Sequence, residues 1–281
     1  MGIVGAFILP HGSMILDPKK NGISKQVIRL HDAMKKIGKI INQLSPDVIF
    51  LTTPHSIALS YDYGIYLNKL ASGTAEWNGE YGEFSIDIRL SQELSTRLLN
   101  LLQTKDMAVQ GISAYSSSVS VPLHWGEVVP LWFLKDLPLN LEYIILSQPL
   151  RRLEHAKSMI TESISLGTHL KKFFESIDKR VALIISADLS HTHEKEGPYG
   201  FSEEAEIFDK MIQDWAASLN SQILTEKIIP ILDKAMCCGL IGFAILQGMI
   251  GNDNFKPNVL IRESPSYYGM MVASYQIIIK S

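Results

Sequence analysis

The sequence predicts an α/β fold in which helices flank a mixed, mainly parallel central sheet, as a single domain over residues 1–281. The chain has 281 residues, of which 46% are hydrophobic, so it is long enough to bury a substantial core. Apolar runs of about seven residues, typical of strands covered on both faces, alternate with segments of helical periodicity. Because no repeat, low-complexity stretch or linker interrupts this alternation, we expect one domain.

The first fifty or so residues have the pattern of a strand, a helix and a second strand. "IVGAFIL" at 3–9 and "DVIFLT" at 47–52 are apolar runs, whereas 24–44 carries apolar residues at helical spacing. Ser24 is a suitable cap for that helix. A helical crossover joins parallel strands, so we expect the two strands to be parallel and to be neighbours in the sheet.

The middle of the chain is richer in strands, and the alternation of strands and helices returns after it. The glycine-containing segment 71–83 is expected to be a connection between two half-exposed strands. The other predicted strands lie at 63–68, 84–90, 128–134, 142–147, 180–186, 258–264 and 269–280. The other predicted helices lie at 91–103, 150–176, 202–219 and 238–250.

Charge and hydropathy exclude several classes of partner. Lys and Arg number 26 against 29 Asp and Glu, for a net charge of −3, and no basic face stands out, so we expect no nucleic acid partner. No apolar run reaches the roughly 20 residues that cross a bilayer, and no basic segment of a signal peptide begins the sequence. We therefore expect a cytoplasmic protein with no membrane partner. The adjacent Cys237 and Cys238 are poorly placed for a disulfide.

Two histidines follow predicted strands in closely similar contexts, "ILPHGS" at 8–13 and "TTPHS" at 52–56. Ligands of open α/β sheets bind at the carboxyl ends of the strands, and each proline ends its strand just before His11 or His55. Neutral imidazole is the commonest metal ligand in proteins. Each histidine could instead cap its strand by bonding nearby backbone, but the matched pair favours a metal site.

Two further histidines are candidates for acid–base chemistry or substrate contact. His191 follows the strand at 180–186, with Asp188 three residues earlier, a spacing that lets a carboxylate orient an imidazole. His193 is better explained as part of a polar loop. His124 precedes the apolar wall of Trp125, where it could donate a hydrogen bond to a ligand or lie partly exposed beside a core tryptophan.

Cys237 and Cys238 lie at the start of a predicted apolar helix in "KAMCCGLIGFAIL". A helix N-terminus stabilises thiolate, which is the form of cysteine that binds metals. Cysteine is also an ordinary small buried residue, so both interpretations stay open at this point.

The chain resembles the LigB-like superfamily, which comprises the class III extradiol ring-cleavage dioxygenases and their Memo-like relatives. Four or five motifs carry this resemblance, and they occur in the same order over almost the whole chain. "LPHGS" and "TTPHS" are similar to the two Pro-His motifs of that superfamily. "PLHWGEVVPL" resembles its Asp-His-Gly…Val-Pro-Leu segment, with Leu123 in place of the acidic residue and Trp125 inserted. "SADLSHTHEKEGPYGFSEEAEIFD" is similar to its Asp-Leu-Ser-His…Gly-Pro-Tyr-Gly…Phe-Asp stretch.

The resemblance implies a metal-dependent oxidoreductase of aromatic compound metabolism that uses O2 and a catechol-like or other small chelating substrate. It implies that His11 and His55 bind iron(II), that His191 is the acid–base residue, and that His124 contacts substrate or oxygen. In the dioxygenases a glutamate completes the ligand set, which leaves open positions for both reactants. Family members are often dimers, so we expect a homodimer.

The sequence departs from the dioxygenase pattern at the third ligand. Where the family often has Glu-Cys-Gly, this chain has Cys237-Cys238-Gly239, which matches the Memo-like branch and implies Cys238 as the ligand. A glutamate from elsewhere, such as Glu127, is the alternative. A thiolate admits zinc or copper more readily than a carboxylate does. Two hypotheses follow: a dioxygenase, or a Memo-like metal-binding protein with a redox or binding role and no ring cleavage. Metal-dependent hydrolysis is weaker, because no acidic pair suits two metals.

Overall fold

The computed structural model describes residues 2–20, 22, 24–116, 118–138, 140–251 and 255–277. The strands are β1 Gly2–Leu9, β2 Val48–Thr53, β3 Tyr63–Tyr66, β4 Leu70–Thr74, β5 Ser85–Arg89, β6 Val109–Ile112, β7 Val121–Leu123, β8 Glu142–Ser147, β9 Arg180–Ser186, β10 Phe255–Glu263 and β11 Met270–Ile277. The helices are α1 Lys25–Leu44, α2 Gln92–Gln103, α3 Trp125–Trp132, α4 Arg152–Ser176, α5 Glu204–Ser218, α6 Leu232–Ala235 and α7 Leu240–Ile250.

Eight strands form the central sheet, in the order β10-β11-β1-β9-β2-β8-β3-β6. The four strands β1, β9, β2 and β8 run parallel to one another in the middle of this sheet. Antiparallel pairs join β10 to β11, β11 to β1, and β3 to β8. The predicted mixed, mainly parallel sheet flanked by helices is therefore confirmed.

The strands β1 and β2 are parallel, as expected, but they are not neighbours. β9 lies between them, and its Leu183 is the register partner of both Ala6 on β1 and Phe50 on β2. The βαβ pattern determines strand direction but leaves room for a later strand to insert, and β9 is apolar enough to be covered on both faces. The ends of β1, β9 and β2 consequently meet side by side at one edge of the sheet.

Side chains of the central strands alternate between two cores, one on each face of the sheet. Phe7 and Leu9 of β1 belong to the core that includes α1 and α3. Ala6 and Ile8 belong to the core on the opposite face, which includes α2, α4, α5 and α7. Helix α1 begins after Ser24, whose hydroxyl accepts the N–H of Val27 at 3.5 Å, as the sequence predicts.

The prediction of a strand at 128–134 is wrong, because this segment lies mostly in the helix α3. Val128, Val129 and Leu131 are all buried, so the segment shows no polar face, and a short apolar run does not distinguish a buried helix from a buried strand. Glu127 at the third helical position accepts the backbone N–H of His124 at 3.0 Å. This is half of a capping box, the local signal for a helix start.

The segment 71–83, predicted as a connection, contains most of β4. This strand forms a second, three-stranded sheet in the order β5-β4-β7, and the short strands β6 and β7 were also absent from the prediction. The predicted extension of the last strand to 280 lies outside the described residues beyond Ile277. Among the helices that the structure describes, none combines the length and the hydropathy needed to traverse a bilayer.

Candidate metal centre

Three side chains with metal-binding atoms converge beyond the carboxyl ends of the central strands. His11 follows β1, His55 follows β2, and Cys238 precedes α7. One ligand atom from each residue lies within 4.8 Å of those from the other two. The sequence predicts these three residues as ligands, and the structure brings them together.

Contacts within this trio are close. The imidazole rings of His11 and His55 have centroids 4.8 Å apart and planes at 85°. Sγ of Cys238 lies 3.5 Å from Nε2 of His11. The His11 side chain is almost completely buried, so its ring has little freedom to turn away from the other two groups.

A chain of hydrogen bonds determines which nitrogen of His11 faces the trio. The hydroxyl of Ser186, at the end of β9, donates to the carbonyl oxygen of Gly126 at 2.5 Å. Its oxygen then accepts from Nδ1 of His11 at 3.0 Å, which leaves Nε2 with a lone pair directed toward Cys238. The Gly126 carbonyl lacks its usual helical donor because Pro130, four residues on, has no N–H.

Asp188 contacts His11 rather than the predicted partner His191. Its Oδ1 accepts the backbone N–H of His11 at 3.1 Å, and its Oδ2 lies 3.3 Å from Nε2 of His11. Ser186 and Asp188 both reach His11 because residues two apart on an extended chain point to the same side. His191 is instead held by its own segment, since its Nδ1 donates to the carbonyl oxygen of Leu189 at 3.0 Å.

The donor set fits a cation. Nε2 of His11 presents a lone pair, and the carboxyl oxygen Oδ2 of Asp188 and the sulfur Sγ of Cys238 face it at 3.3 and 3.5 Å. Burial lowers the pKa of His11 well below its usual value and that of His55 to about 3, so both imidazoles are neutral. Burial raises the pKa of Asp188 to about 8 and that of the Cys238 thiol above its usual range. A bound cation would stabilise the deprotonated forms of both acidic groups.

Two glycines allow the backbone to pass close to these residues. A Cβ on Gly126 would lie 2.5 Å from Oγ1 of Thr53 and 2.6 Å from the carbonyl oxygen of His55. A Cβ on Gly239 would lie 2.6 Å from the carbonyl oxygen of Asp188. Larger residues at 126 or 239 would therefore push α3 or the start of α7 away from the trio.

His191 lines a cavity of about 160 Å³ together with His55, Cys237 and Cys238. Because Nδ1 of His191 donates to a carbonyl, its Nε2 carries the lone pair. The ring stacks on that of Tyr268, with centroids 5.5 Å apart and planes at 19°. Burial lowers the pKa of His191 to about 4, so the neutral form, which accepts a proton, prevails at neutral pH.

His124 is exposed at the start of α3, and it is absent from the described lining of this cavity. Its predicted role as a substrate contact stays a prediction. Glu127, the alternative third ligand, is fully buried elsewhere: Oε1 accepts from the hydroxyl of Tyr66 at 3.2 Å and Oε2 accepts the N–H of His124. The carboxylate of Glu127 is thus occupied in holding α3.

His193 pairs with the buried Asp209 of α5, with Nε2 and Oδ2 2.8 Å apart. Oδ1 of Asp209 accepts the N–H of Ser190 at 2.8 Å. Two contacts from one carboxylate thus fasten the segment that carries His191. This agrees with the prediction that His193 is a loop residue rather than an acid–base residue.

Ser186 and Arg152 are part of the site but were not among the residues predicted from sequence. Ser186 is a polar residue that ends an apolar strand, at the same sheet edge as the two Pro-His motifs. This placement is the signal that could have indicated it. Arg151 and Arg152 begin α4, where positive charge opposes the helix dipole. That unfavourable placement is the signal that could have indicated another purpose for Arg152.

These features define an α/β protein with a two-histidine, one-cysteine group at the carboxyl edge of a mainly parallel sheet. The family model for the catalytic LigB subunit of aromatic ring-opening dioxygenase matches residues 5–278. The chain therefore belongs to the LigB family.

Two individual proteins are similar to this chain. Protein CA_C1420 of Clostridium acetobutylicum is 25% identical over 294 residues, which cover 99% of this chain and 57% of that protein. The chain thus spans little more than half the length of this curated relative. The crystal structure of uncharacterized protein JW3007 from Escherichia coli K12 matches with a TM-score of 0.58 and 14% identity, over 96% of this chain and 99% of the other. That likeness concerns the fold alone.

Proposed function

We propose that this chain is a metal-dependent oxidoreductase of the dioxygenase type that acts on a catechol-like or other small chelating aromatic substrate, with iron(II) as its metal. The observation that carries the proposal is the approach of His11, His55 and Cys238 to within 4.8 Å of one another beside the cavity that His191 lines. Membership of the LigB family supports the same class of reaction.

His11, His55 and Cys238 would hold the metal, with Asp188 close enough to His11 to act on the same ion. A bound iron(II) would supply a Lewis acid and a one-electron redox centre on which a chelating substrate and O2 meet. The hydrogen bonds from His11 to Ser186 and from Ser186 to Gly126 keep one lone pair of His11 aimed at the ion. Such supporting contacts raise the affinity of a site by restricting its ligands to the binding geometry.

His191 is suited to remove a proton from a phenolic substrate. Its Nδ1 is committed to the Leu189 carbonyl, so the proton would be taken at Nε2. The stacked Tyr268 holds the ring in one plane. A side chain positioned to transfer a proton contributes about 10²- to 10⁴-fold to a rate.

The cavity limits the size of the substrate. A volume of about 160 Å³ is close to that of the roughly 150 Å³ engineered cavity that takes up benzene, so one aromatic ring fits. Leu232, Leu240 and Ile241 contribute buried apolar surface to the lining of the cavity.

A second candidate function is supported by the cysteine. A thiolate is softer than the carboxylate of the ring-cleaving enzymes and favours zinc or copper(I). The chain would then be a Memo-like metal-binding protein with a redox or binding role and no ring cleavage.

Anaerobic reconstitution distinguishes the two candidates. The chain is loaded with iron(II), its metal content is measured, and a panel of catechols is assayed for a coloured ring-opened product and for O2 uptake. Turnover in the iron form, and none in a zinc-loaded control, is the result we expect. Full iron occupancy without turnover of any catechol would overturn the ring-cleaving function and favour the second candidate.

A further inference from the structure

The two histidines of the candidate metal centre are held in different ways. The ring of His11 is held by a hydrogen bond, since its Nδ1 donates to the hydroxyl of Ser186 at 3.0 Å. His55 is bonded through its backbone, whose N–H donates to Oγ1 of Thr53 at 3.2 Å. Among the residues that the structure describes, none forms a hydrogen bond with a ring nitrogen of His55. A metal-binding histidine usually has such a partner, which determines the orientation of its ring.

An indole ring contacts the imidazole of His55 instead. The ring of Trp125 stacks on it, with centroids 5.2 Å apart and planes at 30°. Aromatic pairs attract each other at centroid separations of about 4.5–7 Å. The ring of His11 stands nearly perpendicular to that of His55 at 4.8 Å. Rotation of the His55 imidazole out of its present plane would therefore break a stacking contact as well as the contact with His11.

The backbone that carries this indole is held on both sides. Trp125 is the first residue of α3 and follows His124, whose N–H donates to the buried carboxyl of Glu127 at 3.0 Å. Gly126 comes next, and a Cβ on it would lie 2.8 Å from Cβ of His55. The glycine thus lets the helix begin directly against the histidine, which brings the Trp125 ring to the imidazole.

A second tryptophan supports the first. The ring of Trp77 lies 4.5 Å from that of Trp125, with planes at 57°. Trp77 begins a tight turn that ends at Glu80, and the backbones of these two residues exchange hydrogen bonds of 2.9 and 3.0 Å. Asn78 and Gly79 at its centre have φ of 53° and 81°, as in the type I′ turns of hairpins. This turn holds Trp77 against Trp125, although the Trp77 side chain is 46% exposed.

We propose that Trp125 is a positioning residue that keeps the imidazole of His55 in its metal-binding orientation by stacking on it, with Trp77 as its support. The inference rests on the proposed function in one respect, since it takes His55 as a metal ligand. It adds that the two histidine ligands are oriented by different contacts. A hydrogen bond from Ser186 fixes His11, and an aromatic face fixes His55.

The alternative explanation for Trp125 is packing alone, because it also lies against the core that includes α1 and α3. Loss of packing would displace the start of α3, including the Gly126 carbonyl that accepts from Ser186 at 2.5 Å. The disturbance would then reach His11 through Ser186, as well as His55. The positioning role predicts an effect that depends on His55 only, so variants that lack one or the other histidine separate the two explanations.

The test measures zinc affinity of the full chain by competition with a chelator. Trp125→Leu removes the aromatic face and Trp125→Phe retains one. Trp132→Leu is the matched control, because Trp132 lies on the same helix and packs on the same core, but its ring contacts Phe84 at 5.2 Å rather than a histidine. Trp125→Leu is also combined with His55→Ala and, separately, with His11→Ala. Circular dichroism establishes that each variant is folded.

We expect Trp125→Leu to lower zinc affinity about 3- to 10-fold, which is the energy of an aromatic pair expressed as an equilibrium ratio. Trp125→Phe should keep most of the affinity, and Trp132→Leu should keep all of it. In the His55→Ala background Trp125→Leu should have no further effect, whereas in the His11→Ala background its effect should persist. Trp77→Leu, at a more exposed position, should lower the affinity about 2-fold, and it decides the matter where Trp125→Leu does not fold.

Unchanged zinc affinity in Trp125→Leu, or in Trp77→Leu where that variant must replace it, would overturn the proposal. An equal loss in the presence and absence of His55 would also overturn it, because Trp125 would then act through packing alone.

Failure of this inference is distinguishable from failure of the proposed function. Ring opening of catechols by the iron(II) form, with metal affinity unaltered in Trp125→Leu, would support the dioxygenase and reject the positioning role. The expected dependence on His55, without turnover of any catechol, would support the positioning role and reject the dioxygenase. Full zinc affinity in His55→Ala alone would remove His55 from the ligands and overturn both.

Discussion

The hydroxyl of Ser186 lies 3.0 Å from Nδ1 of His11 and joins the central strand β9 to a candidate metal ligand that follows the adjacent strand β1. The same hydroxyl donates to Gly126 of α3, so a single side chain links β1, β9 and α3 at the carboxyl edge of the sheet. The position of β9 between β1 and β2 makes this link possible, because it places Ser186 between the segments that carry His11 and His55.

Ser186→Ala should weaken metal binding while leaving the three ligands in place. Without the hydroxyl, Nδ1 of His11 loses its acceptor, and the ring is no longer held in one orientation and tautomer. Loss of such a supporting contact costs about 10- to 100-fold in metal affinity. Competition with a chelator of known affinity measures the change in zinc or iron(II) binding.

A second buried serine gives the control for that experiment. Ser163 of α4 bonds the hydroxyl of Tyr63 at 2.8 Å and the carbonyl of Met159, away from the metal centre. Ser163→Ala should lower stability without altering metal affinity. Equal metal affinity in Ser186→Ala and the unsubstituted chain would contradict the orienting role of Ser186.

The adjacent cysteines should respond differently to substitution. Both thiols contact the carbonyl of Asp188, at 3.7 Å for Cys238 and 3.6 Å for Cys237, but of the two only Sγ of Cys238 is in hydrogen-bond contact with Nε2 of His11, at 3.5 Å. Cys238→Ser should therefore abolish the sulfur-to-metal charge-transfer band of the cobalt(II)-substituted protein, and Cys237→Ser should retain it. A band that persists in Cys238→Ser but disappears in Cys237→Ser would reverse the assignment.

His191→Gln should slow turnover of the iron(II) form by about 10²- to 10⁴-fold, the usual contribution of a general base. The metal content should stay unchanged, because the ligand group consists of His11, His55 and Cys238. The effect should fall on kcat more than on KM, since the amide still fills much of the space of the imidazole. Stopped-flow measurement of product formation at saturating catechol tests this, and a variant with normal kcat would remove His191 from the proton-transfer step.

The sequence was most informative where an element's end and direction could be inferred locally. Two apolar strands that each end in Pro-His place His11 and His55 at one sheet edge, and this needs only the parallel direction of β1 and β2. The candidate ligand Cys238 lies far along the chain, and only the family resemblance connected it to the pair. Ser186 and Arg152 depend on strand order and on loop approach, which local patterns do not encode.

The helix α3 illustrates a different limit. Its apolar residues face the core on every side, so the segment lacks the polar stripe that distinguishes a helix from a strand. Pro130 inside it adds to the ambiguity, because proline is unfavourable in a helix interior. In the folded protein the carbonyl that Pro130 leaves free is taken by Ser186, a long-range contact that the local sequence does not indicate.

The buried Glu127 should make the stability of the fold decrease as the pH rises from about 4.5 to about 8. Burial raises the pKa of this carboxyl from 4.5 to about 8, so across that interval the folded state holds a proton that the unfolded state has released. Each pKa unit corresponds to about 1.4 kcal/mol. The contribution is fully present below pH 4.5, declines through the interval and is constant above pH 8.

Glu127→Gln isolates this contribution from that of Asp188, whose pKa is also raised to about 8. The amide oxygen can still accept the N–H of His124, because glutamine serves in a capping box as glutamate does. Its side chain does not titrate, so the variant should lose less stability than the unsubstituted chain between pH 5 and pH 8. Urea unfolding at several pH values in this range measures both slopes, and identical slopes would mean that Glu127 is ionised in the folded state throughout.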